Sequence, residues 1–109
     1  MIPPGIRERY LRDSLPIRLG GLAADLARVV SFSENSRNHE VVASLLEESK
    51  YFAEWAAPEA PLEIQEALAQ VQIQLAVWQR RWLSGDADPA MREGIQRWSD
   101  RLLGLSGLV

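Results

Sequence analysis

Hydrophobic positions recur along this chain in alternating steps of four and three residues, the spacing that places side chains on one face of an α-helix. Four stretches carry the pattern. Their apolar positions are Leu15, Leu19, Leu22, Leu26 and Val29; Val41 or Val42, Leu45, Phe52 and Ala56; Ile64, Leu68, Val71, Leu75, Trp78 and Trp82; and Met91, Ile95, Trp98, Leu102 and Leu105. The pattern predicts four amphipathic helices that bury their apolar faces against one another.

Cap and turn residues delimit the four predicted helices. The first runs from Asp13 or Ser14 to about Val30, the second from Ser36 or Asn38 to about Ala56, the third from Pro61 to a left-handed stop at Gly85, and the fourth from Pro89 to about 103–105. The adjacent glycines Gly20 and Gly21 in the first helix are expected to admit close approach of another helix.

The loops between these helices hold about four to eight residues, a length that favours antiparallel neighbours. We therefore predict an all-α fold: an up-and-down antiparallel four-helix bundle forming one domain over residues 1–109, with residues 1–13 as a short N-terminal arm. The alternative is a three-helix core with a detached fourth helix.

Composition narrows the class of protein. The chain has 109 residues, of which 47% are hydrophobic and 25% charged, as expected of one globular domain. It has no cysteine, so disulfides and thiolate chemistry are excluded. No segment is basic enough for nucleic-acid binding, since residues 34–66 hold eight acids and two bases. No apolar run approaches the roughly 18 residues that span a bilayer, and we expect a cytoplasmic protein without a membrane span.

The acidic face of the second helix is the first candidate for chemistry. Glu40, Glu47 and Glu54 are spaced seven apart, opposite the apolar face, whereas metal ligands in a bundle must project into the core. The single histidine, His39, has Ser36 where the di-iron pattern needs glutamate. We therefore expect no metal and no cofactor.

Enzymatic patterns are also incomplete. Glu47 and Glu48 begin like the Glu-Glu-x-x-Glu motif of all-helical nucleoside triphosphate pyrophosphohydrolases, but Tyr51 stands where the third carboxylate belongs. No glycine-rich phosphate loop follows the Walker pattern. The sequence predicts no catalytic residues and favours a non-enzymatic protein. The alternative is a small-molecule-binding or hydrolytic bundle that uses Glu47, Glu48 and Trp55 at an interhelical cleft.

The third helix has a second apolar stripe opposite the first, and a helix that is apolar on both sides is usually sandwiched between two layers. Tyr51 and Trp55 on the second helix lie at the edge of its apolar arc, as interface aromatics often do. The candidate interface residues are Leu62, Ala69, Ile73, Val77, Tyr51 and Trp55. The occupant would be a protein partner, a second copy in a homodimer, or the N-terminal arm; scattered exposed apolar residues are the alternative.

Residues 9–29, RYLRDSLPIRLGGLAADLARV, and 41–60, VVASLLEESKYFAEWAAPEA, resemble a family of short, uncharacterised helical proteins from cyanobacteria. The resemblance spans about the first 80 residues, and neither segment is a functional motif. It implies a soluble protein of a photosynthetic prokaryote and carries no activity, ligand or site.

Overall fold

The computed structural model describes residues 2–108, which are helical over most of their length and contain no β-strand. The α-helices are α1 (Ile6–Arg12), α2 (Leu15–Phe32), α3 (His39–Ala56), α4 (Leu62–Leu83) and α5 (Pro89–Ser106). Short 3₁₀ turns, Ser36–Asn38 and Ala57–Glu59, lie before and after α3. The four predicted helices correspond to α2–α5, and the all-α prediction is confirmed.

The helices differ in how extensively they pack against one another. α2 packs extensively against both α5 and α3, α3 packs against α4, and α4 touches α5 at few points. The core is one cluster with contributions from every α-helix, and Leu22, Leu75 and Leu102 in it are fully buried. The predicted fourth helix is thus not detached, although it is anchored through α2 rather than through α4.

The N-terminal arm contains α1, which lies against α3. Tyr10 holds it there: its ring stacks on Phe52 at 4.0 Å, and its hydroxyl lies 3.1 Å from the carbonyl oxygen of Arg18 and 3.2 Å from that of Phe52. One side chain therefore ties α1 to both α2 and α3. Burial raises the pKa of the Tyr10 phenol, so the hydroxyl remains a hydrogen-bond donor at neutral pH.

The buried face of α3 is rotated from the predicted one. Its buried line is Val42, Leu46, Ser49, Ala53 and Ala56, whereas the predicted Leu45 and Phe52 are only half-buried and Val41 is exposed. Ser49 is tolerated in the core because its hydroxyl donates to the carbonyl oxygen of Leu45 at 2.7 Å. The prediction for Val42 and Ala56 is confirmed, whereas the buried Leu46, Ser49 and Ala53 were missed.

Three of the predicted helix ends are confirmed, although one of them lacks a side-chain capping hydrogen bond. The Asp88 carboxylate accepts from the amide of Met91 at 2.9 Å, and Gly85 is left-handed with φ of 76°. Ser14 precedes α2, but its side chain makes no capping hydrogen bond.

Gly20 was predicted to allow close approach of another helix, but the group that lies close to it belongs to the segment after α5. A Cβ at Gly20 would lie 2.7 Å from Cδ1 of Leu108, in the segment after α5.

Candidate interaction surface

The outer face of α4 is apolar and open. Leu62 is 71% exposed, Ile73 66% and Val77 46%, and Ala69 is exposed beside them. The opposite side of the same helix is filled by Leu68, Val71, Leu75, Trp78 and Trp82, all buried. Because a packed interior already occupies one side, the outer residues are not needed for the fold that residues 2–108 adopt.

The N-terminal arm does not cover this face. α1 packs against α3, and Ile73 stays two-thirds exposed with the arm in place. Of the occupants expected from the sequence, the arm is therefore ruled out within residues 2–108. A partner protein, a second copy of the chain, and exposed apolar residues without any occupant are the interpretations that remain.

A groove runs between α4 and α5, where these two helices diverge. It has a volume of about 500 Å³, and its walls include Val77, Trp78, Met91, Gly94 and Trp98. A Cβ at Gly94 would lie 3.8 Å from the Trp78 ring, so the absence of a side chain at Gly94 leaves this part of the groove open. Val77 belongs both to the groove and to the outer face of α4, which makes the two surfaces continuous.

Arginines line the rim of this groove. Arg101 lies over the Trp98 ring at 4.6 Å and donates to the side-chain oxygen of Gln70 at 3.2 Å. Arg81 pairs with Asp88 at 2.8 Å, and the exposed Arg97 also lines the groove. The hydrogen bonds from Met91 and Arg81 lower the pKa of the Asp88 carboxyl, so this ion pair persists at neutral pH.

Tyr51 and Trp55 are in ring contact but differ in their other neighbours. Trp55 is half-buried, in ring contact with Tyr10 at 6.0 Å and with Tyr51 at 5.4 Å, and Arg7 lies over it at 6.0 Å. Tyr51 is more exposed and shares a shallow depression with Gln72 of α4. Tyr51 thus borders α4, whereas Trp55 mainly secures the arm.

A carboxyl pair that the sequence analysis missed lies where α2 meets α3. Asp25 is 2% exposed; its Oδ1 accepts from Arg28 at 2.9 Å, while its Oδ2 has no hydrogen-bond donor. Burial, together with the hydrogen bond and negative charge of Glu48, raises the pKa of Asp25 to about 8, against the opposing effect of Arg28. At neutral pH a proton therefore sits on this pair, and the acid can donate to its neighbour.

Arg18 is the second buried charge on α2. It is 3% exposed, donates from Nε to the carbonyl oxygen of Asp13 at 3.0 Å, and forms an ion pair with the exposed carboxylate of Glu59. Its Nη1 is buried without a partner among residues 2–108. These contacts tie the start of α2 to the turn after α3.

The acidic residues proposed for the rival function do not converge with Trp55. Glu47 and Glu48 border a cleft of about 490 Å³ with Ile6 and Val41, and Glu48 also borders a cavity of about 240 Å³ with Tyr10 and Phe52. Trp55 lines neither space and faces Arg7 and Leu11 instead.

Within residues 2–108 no group of three or more His, Cys, Asp or Glu side chains is placed to hold a metal ion. Over the same residues, no helix has the length and apolar character to cross a membrane.

Comparison of the chain with protein-family models, with curated proteins and with solved structures gives no significant match.

Proposed function

We propose that this protein is a non-enzymatic interaction module that docks onto other proteins through the outer face of α4. The observation that carries the proposal is the exposure of Leu62, Ala69, Ile73 and Val77 along a helix whose other side is already packed. An apolar strip with polar margins is the usual composition of a small interface core. The groove beside Val77 extends that surface towards α5.

The scaffold we propose for this face is an up-and-down antiparallel four-helix bundle of α2–α5, with residues 1–13 as its arm. It is supported by the contacts of α2 with α3 and α5 and of α3 with α4. Cytoplasmic location and kinship with short helical cyanobacterial proteins remain predictions.

Ile73→Glu tests the docking face. Because Ile73 is exposed, the variant should keep the helical circular dichroism and melting temperature of the parent, whereas a buried charge in a complex would be costly. We expect it to lose association, measured as self-association in sedimentation or as capture of a partner. Val41→Glu is the matched control, since Val41 is an exposed β-branched residue on α3. Unfolding of Ile73→Glu, or association equal to that of the parent, would contradict the proposal.

The second candidate function is small-molecule binding between α1, α2 and α3. The observation that favours it is the cavity of about 240 Å³ that Glu48 lines together with Arg9, Asp13 and apolar residues. Saturable thermal stabilisation by a nucleotide or a divalent cation, lost in Glu48→Gln, would favour this function over docking.

A further inference from the structure

The outer face of α4 carries an exposed seam of residues with heptad spacing. Seven residues at alternating spacings of four and three are all exposed: Leu62, Glu66, Ala69, Ile73, Ala76, Arg80 and Leu83. This is the spacing with which one helix receives another along its length. A helix would therefore fit the seam better than a loop or an extended strand.

The two charges of the seam are placed symmetrically about Ile73. Glu66 lies seven residues before it and Arg80 seven residues after it, so all three share one face. Ala69 lies four residues before Ile73 and Val77 four after it. Neither Glu66 nor Arg80 forms an ion pair within residues 2–108. The seam thus has opposite charges on the two sides of Ile73, with apolar residues between them and at its two ends.

Such a surface is complementary to itself. Two α4 helices laid antiparallel about a two-fold axis at Ile73 would place Glu66 of each copy opposite Arg80 of the other, and Val77 opposite Ala69. A parallel pair would instead juxtapose like charges, and an axis moved one turn to Ala69 or Ala76 would separate both charge pairs. A two-fold contact uses the same patch on both copies, which only a self-complementary patch allows.

We propose that the occupant of the outer face of α4 is a second copy of this chain, paired antiparallel about Ile73. The inference rests on the proposed function of this face as a docking surface and names its partner. Alanines on either side of Ile73 admit close approach of the two helices. Because a single pair of helices buries less area than a standard interface, the dimer is weak and forms with rising concentration.

Cysteine cross-linking tests the position of the axis. The chain has no cysteine, so Ile73→Cys introduces one thiol per copy, and the two-fold axis brings the two thiols together. A disulfide requires Cα atoms about 4.4–6.8 Å apart. We expect mild oxidation to convert Ile73→Cys into a covalent dimer many times faster than Glu93→Cys, an exposed control position on α5. Equal rates at the two positions would overturn the proposed axis.

Charge exchange tests the register independently. Glu66→Arg and Arg80→Glu should each raise the dimer dissociation constant by about tenfold, since each replaces two attractive pairs with two repulsive ones. The double variant restores opposite charges and should return to within about twofold of the parent. Sedimentation equilibrium from about 10 µM to about 1 mM covers the range expected of a weak dimer. Single variants that match the parent, or a double variant weaker than both, would overturn the register.

The same sedimentation series distinguishes failure of the proposed dimer from failure of the proposed docking function. A parent chain that stays monomeric to about 1 mM refutes the second copy as occupant. The docking function would still stand if Ile73→Glu, but not Val41→Glu, lost capture of a different protein. If neither variant changed any association, both would fail.

Discussion

Replacing Leu75 with alanine is expected to lower the free energy of unfolding by about 2–5 kcal/mol, the range for a buried leucine that leaves a cavity. Leu75 is fully buried at the centre of α4, where Leu68, Val71 and Trp78 on the same face share the core with it. Urea denaturation followed by circular dichroism gives the free energy directly. It is best done at low micromolar concentration, where self-association does not contribute.

Ile73→Ala is the matched control for Leu75→Ala, because it lies on the same helix and is two-thirds exposed. Its free energy of unfolding should stay within about 0.5 kcal/mol of the parent. If the two substitutions destabilise the protein equally, the assignment of inner and outer faces to α4 is wrong.

The free energy of unfolding is expected to fall as pH rises from 5 to 8, and Asp25→Asn should remove most of that fall. The pKa of Asp25 is raised from 3.8 to about 8 in the folded chain, so the folded state keeps a proton that the unfolded state releases near its ordinary pKa. The stability associated with that proton is complete below about pH 4 and is lost as pH rises through about 8.

Urea denaturation at a series of pH values measures this effect for the parent, Asp25→Asn and Asp86→Asn. Asp86 is an exposed carboxylate in the loop between α4 and α5, so its removal should leave the parent's pH dependence intact. Asparagine keeps a neutral donor beside Glu48, and Asp25→Asn should exceed the parent in stability at pH 9. Identical pH profiles for the parent and Asp25→Asn would refute the protonated carboxyl pair.

The helix content and the two faces of α4 were predictable because apolar periodicity and cap residues act locally. On α4 every residue of the predicted inner stripe from Leu68 to Trp82 is buried, and the second stripe is exposed. On α3 the same reasoning failed, since the buried line consists largely of small residues and includes Ser49. Phe52 is larger and more apolar than Ser49 and Ala53, which favoured it for the core, but the packed helices bury the two smaller residues and leave Phe52 half-buried.

The spacing of the buried charged residues on α2 indicated their burial, but a search for apolar residues alone passed over them. Arg18, Leu22, Asp25 and Val29 follow steps of four, three and four, so both charged residues lie on one line with buried leucine and valine. What the sequence lacks is the distant partner of each. Glu59 reaches Arg18 and Glu48 reaches Asp25 only after α3 has packed on α2.

The groove between α4 and α5 was also beyond sequence analysis. Trp98 and Met91 follow a core stripe, which predicts burial, yet Trp98 is only half-buried because α5 packs on α2 and diverges from α4. The angle between neighbouring helices depends on how ridges and grooves fit, and periodicity does not specify it.

Site-specific photo-cross-linking tests the docking face most directly. The photoreactive amino acid benzoylphenylalanine is placed at position 73 or, as a control, at the exposed position 24 on α2, and the purified variants are irradiated at about 1 mM, where a weak dimer forms. We predict a discrete covalent adduct from position 73, with twice the mass of the chain for the proposed dimer, and none from position 24. No adduct from position 73, or the same adduct from both positions, would contradict the account.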